Sequence, residues 1–209
     1  LYDIVNDSKE LMKMDDEHLK DIDSAHNTVL HVDFPCDITE KLAKIVGINS
    51  ENSTGQTPLH MACLRGNKEQ VTSLLEAGAK TDRICDEGST VLHYAVSGGN
   101  VEVVKLFLNL GANVVNHKDE SALSYAACTP YTKVLDTLLE QGPNDNMALF
   151  AAAKCGNYKN TAILLNAGLT PVPAKHGEYP LHVAAKYGHT KVIGEYLKSG
   201  TSIDLVNGD

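Results

Sequence analysis

Histidine and cysteine are the residues of this chain whose side chains could ligate a metal or attack a carbonyl. Four histidines recur in one context, as Thr28-Val29-Leu30-His31, Thr57-Pro58-Leu59-His60, Thr90-Val91-Leu92-His93 and Tyr179-Pro180-Leu181-His182. Each occupies the same slot of its own unit, so stacking sets neighbouring imidazoles about 10 Å apart, the packing distance of helices, too far to share a metal. His176, His182 and His189 lie closer together, but a site there needs three neutral imidazoles converging, and solvent-facing positions near loops are the plainer reading. The cysteines, Cys36, Cys63, Cys85, Cys128 and Cys155, are odd in number and widely spaced, with no CxxC or CxxH pair for zinc. They read as free thiols in a reducing compartment, a cytosol of the cell itself or of a host. No GxSxG elbow, GxxxxGK[ST] loop or GxGxxG turn is present, and Gly98-Gly99-Asn100 reads as a helix terminus. No catalytic residue, metal or cofactor is therefore expected, and the chain does not read as an enzyme.

The elements that carry these histidines repeat. Weaker copies of the box stand at Ser121-Ala122-Leu123-Ser124 and Met147-Ala148-Leu149-Phe150, so the key Leu falls at 30, 59, 92, 123, 149 and 181. Seven residues after five of these comes Gly66, Gly99, Pro130, Gly156 or Gly188; twelve later comes Gly78, Gly111, Gly142, Gly168 or Gly200. One unit reads as a helix capped by Thr or Ser, with Pro tolerated in its first turn and small inner residues such as Ala62-Cys63 and Ala152-Ala153. A glycine ends it, and a second helix follows with apolar spacing such as Val71/Leu74/Leu75.

With 209 residues, 43% apolar and 5% aromatic with no Trp, the core is built from Leu, Ala, Val and Ile rather than large rings. The net charge of −9 argues against a nucleic-acid or anionic-membrane binder. No apolar stretch is long enough for a membrane span, and the start lacks the features of a signal peptide. Charge is uneven, −5 over residues 1–23, −5 over 24–144 and +1 over 145–209; solvated outer helix faces are the plainer reading, and a stripe that orients a partner along the groove is the sharper one.

Box, helix pair and spacing together resemble the ankyrin repeat, a unit of about 33 residues with two antiparallel helices and a protruding finger. The resemblance implies an all-α solenoid of stacked helix-turn-helix units with short β-hairpin fingers. Repeats are placed near 24–52, 53–84, 85–117, 118–144, 145–174 and 175–209, forming an ankyrin repeat domain over 24–209. Residues 1–23 read as a degenerate repeat or a helical cap, which a solenoid end requires. The opening of a further finger after 203 suggests a longer parent.

Departures carry information. The first inner helix should be about two residues short, with Asp37 capping a restart over Asp37-Ile38-Thr39-Glu40. One finger should be missing or collapsed between Gly142 and Leu149. His26, Asp119 and Asp145 replace the finger glycine, and His and Asp tolerate left-handed backbone.

The resemblance implies a non-catalytic interaction module whose concave groove takes a protein or peptide; nucleic acid and direct membrane insertion are not expected. By position, the contact residues are Leu64, Arg65, Lys154, Lys186 and Tyr187 at inner-helix ends, and Arg83, Asp86, Glu87, Lys118, Glu120 and Lys175 in fingers, with His117 and His176 beside them. Replacing Arg65 and Tyr187 by Ala is expected to weaken a bound partner without lowering stability. Asn116 matches a finger asparagine that hydroxylases modify in some ankyrin proteins. The alternative is a targeting segment of a larger protein, such as a channel, a phospholipase-type signalling enzyme or a pathogen effector, with its activity elsewhere.

Overall fold

Each box Thr leaves its own backbone N–H exposed at a helix start, and the histidine three residues on comes back to accept it. Thr28 N–H donates to His31 Nδ1 at 3.0 Å and Thr57 N–H to His60 Nδ1 at 3.1 Å. This reciprocal cap begins inner helices that pack through alanine and small residues, while the second helix of each pair covers them with larger aliphatics. The computed structural model describes residues 8–112, 115–116, 118–141, 145–174, 177–202 and 204–206. The chain forms two compact units, residues 1–118 and 119–209.

The first unit opens with α1 (Ser8–Lys13) and α2 (Asp16–Leu19), which bury Leu11 and Leu19 against the turns of the first repeat. That repeat has a 3-10 turn, Val29–His31, instead of an inner helix. The chain then passes through a second 3-10 turn, Cys36–Ile38, α3 (Thr39–Leu42) and a π turn, Ala43–Gly47. The restart therefore begins earlier than Asp37: Pro35 precedes the turn and Asp37 lies inside it. Two regular pairs follow, α4 (Pro58–Arg65) with α5 (Lys68–Glu76), and α6 (Val91–Gly98) with α7 (Val101–Asn109).

Helices α4 and α6 run so close that a Cβ on Gly98 would lie 2.1 Å from the Cys63 carbonyl oxygen. Ala62, Cys63, Ala95 and Val96 fill the seam, fully buried. Among the described residues the fingers form turns and isolated bridges, such as the antiparallel pairing of Ile84 with Thr90, rather than extended ladders. His26 and Asp119 adopt the left-handed backbone of the finger glycine, with φ of 57° and 58°.

The second unit stacks α8 (Ala122–Cys128) with α9 (Thr132–Glu140), α10 (Met147–Cys155) with α11 (Tyr158–Asn166), and α12 (Pro180–Lys186) with α13 (Thr190–Lys198). Ala126, Ala127, Ala152, Ala153 and Ala184 form its inner seam, and Leu135, Leu164, Val192 and Tyr196 its outer layer. Gly142, Pro143 and Asn144, at the expected shortened finger, lie outside the described residues. Asp145 does not take the left-handed backbone; its Oδ2 accepts from Ser124 Oγ at 2.9 Å and from Ser121 Oγ. Ser124 stands where other boxes carry histidine, and the carboxylate reaches in to meet the shorter side chain.

Two of the five cysteines depart from the free-thiol expectation. Cys128 and Cys155 end the adjacent inner helices α8 and α10 with Cα atoms 5.5 Å apart, and they are disulfide-bonded. The alanine seam between those helices permits the approach. Cys36, Cys63 and Cys85 are thiols.

Because Pro130 cannot adopt positive φ, α8 ends in an extended Thr129 without a left-handed cap. Asn160, fully buried on α11, covers the exposed end: its Nδ2 lies 3.0, 3.2 and 2.8 Å from the carbonyl oxygens of Ala126, Ala127 and Thr129. Asn160→Val should cost about 1–2 kcal/mol, chiefly for the donor lost at Ala127 O, since Ala126 O keeps Thr129 and Thr129 O keeps Asn157, read as a lower urea midpoint at unchanged m-value.

Candidate functional site

His31, His60 and His93 are buried and His182 half-buried, and two of them, His31 and His182, bond the following finger. His31 Nδ1 accepts from Thr28, so Nε2 carries the proton and donates to Gln56 O of the following finger at 3.0 Å. His182 Nε2 does the same toward Leu205 O at 2.9 Å. His60 packs edge-on against Tyr94 at 5.0 Å, and Tyr94 Oη accepts from Gln56 Nε2 at 2.9 Å. Burial pushes the His60 imidazole down to about 4 and lowers that of His31. Both ring nitrogens of His31 and His182 are engaged, whereas His60 Nε2 is buried without a hydrogen-bond partner. His189 Nε2 donates to Lys154 O at 3.1 Å, and His176 lies outside the described residues. Among the described residues no three His, Cys, Asp or Glu converge in a metal-holding geometry.

What remains for contact is the set of inner-helix ends and finger residues. In the first unit, Leu64 closes α4 with 41% of its surface exposed. Arg65 beside it is occupied: its guanidinium donates to His31 O at 2.8 Å, Val32 O at 3.1 Å and Gln70 Oε1 at 2.8 Å. Gln70 Nε2 adds a bond to Val32 O at 2.7 Å. The two side chains finish the truncated first repeat, a role that the sequence expectation of a stability-neutral Arg65 missed. Arg83 reaches back to Glu51 at 3.4 Å, an exposed pair of little energetic weight. Asp86 and Glu87 are exposed at the same finger, where Asp86 N–H donates to Thr54 O at 3.1 Å. Lys118 is exposed, and its N–H donates to Asn116 Oδ1 at 2.8 Å, while the Asn116 side chain is buried.

In the second unit, Glu120, Lys154, Lys186 and Tyr187 are all exposed, and Lys175 lies outside the described residues. Tyr187 stacks on His189 with ring centroids 6.2 Å apart and keeps 51% of its surface exposed. Lys191 Nζ sits 5.2 Å from the Tyr158 ring centroid. The interrepeat clamps Gln70 and Asn160 escaped the sequence reading. Their signal is a polar residue three after the cap Asn67 or Asn157, where other repeats place Val103 and Val192.

The family model for ankyrin repeats matches the sequence three times, over residues 26–119, 74–148 and 123–207. The chain belongs to the ankyrin repeat family. It is similar to the ankyrin repeat protein nuc-2 of Neurospora crassa, 26% identical over 174 residues that make up 79% of this chain and 14% of that protein. The ankyrin repeat domain of human ASB11 superposes with a TM-score of 0.72 at 22% identity, covering 88% of this chain and 89% of that one. That likeness shows the fold: an all-helical ankyrin solenoid. No described helix is long and apolar enough to cross a membrane.

Arg65→Ala should lower stability by about 1–2 kcal/mol, since it takes the donor from His31 O while Val32 O keeps Gln70; denaturant unfolding measures it. The histidines give the ankyrin fold an acid-sensitive window. The unfolded chain protonates these imidazoles near the ordinary value of 6.5, whereas folded His60 resists until about 4. Stability should therefore fall as pH drops from 6.5 to 4, by roughly 3 kcal/mol for this residue, and less steeply in His60→Gln.

Proposed function

We propose that this ankyrin segment is a non-catalytic module that presents its inner-helix ends and fingers, as a concave groove, to a protein or peptide. Ankyrin repeats are protein–protein interaction modules, and the fold is generally non-catalytic. The observation that carries the reading here is a division of labour. The box residues 28–31, 57–60 and 90–93 are buried and capped by the Thr–His pairs, while Leu64 and Tyr187 stand 41% and 51% exposed at helix ends. Exposed apolar and aromatic side chains on rigid helices, rimmed by Lys154 and Lys186, have the chemistry of interface anchors. Arg83, Asp86, Glu87, Lys118, Glu120 and Lys175 supply the polar rim of this reading, and Arg65 contributes through the backbone it supports. The reading keeps the chain in a cytosol, its own or a host's.

A second reading, a targeting or regulatory segment of a larger protein, is supported by one finding: the chain spans 14% of the length of nuc-2.

Immobilised chain, beside Leu64→Ala and Tyr187→Ala, tests the surface. Proteins retained by the native chain should bind the variants at least about tenfold more weakly, with unchanged thermal unfolding. Equal retention by all three discards the surface.

A further inference from the structure

The disulfide lies at the most irregular junction of the second unit. There α8 stops at Thr129-Pro130 instead of glycine, Ser124 replaces the box histidine, and the connection before α10 is short. Both bonded cysteines are exposed, whereas Cys63 and Cys85 are buried and Cys36 is half-buried. We propose that Cys128 and Cys155 form a thiol–disulfide exchange site, a staple between neighbouring inner helices that small thiols open and small disulfides close.

Three observations support reversibility. Both bonded cysteines are exposed residues at helix ends, outside the buried seam where a permanent core cross-link would lie. The helices do not depend on the bond for their contact. Ala126, Ala127, Ala152 and Ala153 are fully buried between them, and the Asn160 clamp and the bonds of Ser124 to Asp145 cross the same junction. Opening the bond therefore leaves the thiols side by side, ready to close again. The competing thiols are protected: burial removes Cys63 from solvent and pushes its thiol far up, and it also raises that of Cys36.

The exchange balances without a further reactant. The thiolate of a small thiol such as glutathione attacks one sulfur of the bond; the S–S bond breaks and the other cysteine leaves as thiolate, taking a proton from solvent. A second small thiol attacks the mixed disulfide, releasing the remaining cysteine. Two small thiols are thereby oxidised to their disulfide, and the two electrons reduce the protein. Closure is the reverse, with the small disulfide as oxidant.

The closed bond joins residues 27 apart in sequence and so restricts the unfolded chain across α9. The test holds the native chain in glutathione buffers of rising reduced-to-oxidised ratio, then traps thiols by alkylation and maps them by mass. Two labels should appear at residues 128 and 155 on reduction and vanish on reoxidation, while Cys63 and Cys85 stay unlabelled. The melting temperature should drop by roughly 5–10 °C on reduction and recover on reoxidation. The double variant Cys128→Ser/Cys155→Ser should fold, melt with the reduced protein and ignore the buffer. The proposal falls if the bond survives excess glutathione until the protein is unfolded, if reduction unfolds the chain, or if reoxidation pairs other cysteines.

Discussion

Every inner helix of this solenoid is only seven to nine residues long, so a large share of its backbone carbonyls lies in the last turn without an intrahelical donor. Stacking buries that end against the next repeat, and satisfying it is the constraint on which the remaining structure turns. The regular repeats meet it in two ways. A left-handed glycine folds the chain back onto the helix, and a polar side chain at the head of the next pair donates across the gap: Asn100 Nδ2 to Gly66 O at 2.8 Å, His189 to Lys154 O at 3.1 Å. With the carbonyls covered, the slot three residues further on can be apolar, and Val103 and Val192 are fully buried there.

Where the glycine end is missing, the same slot changes chemistry. The first repeat breaks off after one 3-10 turn, and the following pair answers with Gln70 and Arg65 on its open carbonyls. The fourth ends in Thr129-Pro130, and the following pair answers with Asn157 at 2.7 Å and Asn160 at 2.8 Å from Thr129 O. A buried amide in an outer helix costs more to desolvate than a valine, so it is expected only where the neighbour offers unsatisfied acceptors. The irregularity of one repeat is thus written into the sequence of the next.

This explains how much the sequence disclosed. The repeat period, the helix pairs, the buried alanine seams and the left-handed His26 and Asp119 were legible, because each follows from local backbone preference or from spacing inside one repeat. What escaped were relations between repeats. Arg65 and Leu64 are adjacent at the end of one helix and look equivalent in sequence. Only the truncated neighbour makes the first a structural donor and leaves the second exposed. The cysteines erred for the same reason: their separation of 27 residues says nothing until two helices are known to share a seam. Asp145 likewise read as a turn residue, and its bonds to Ser121 and Ser124 arise because a serine occupies the histidine slot one repeat earlier.

The same logic bears on where specificity can reside. His31 and His182 cannot change without breaking a bond to the following finger, as the Thr–His–carbonyl relay from Thr28 through His31 to Gln56 illustrates. A residue at the exposed end of an inner helix, such as Leu64 or Tyr187, contributes no such bond and is free to vary with whatever it meets. Arg65 shows that position alone is an insufficient criterion, since an irregular neighbour can conscript an end residue into the frame. Beside the irregular first repeat Arg65 is taken up by that repeat's carbonyls, whereas at the end of α12, in the regular last pair, Lys186 and Tyr187 are both exposed.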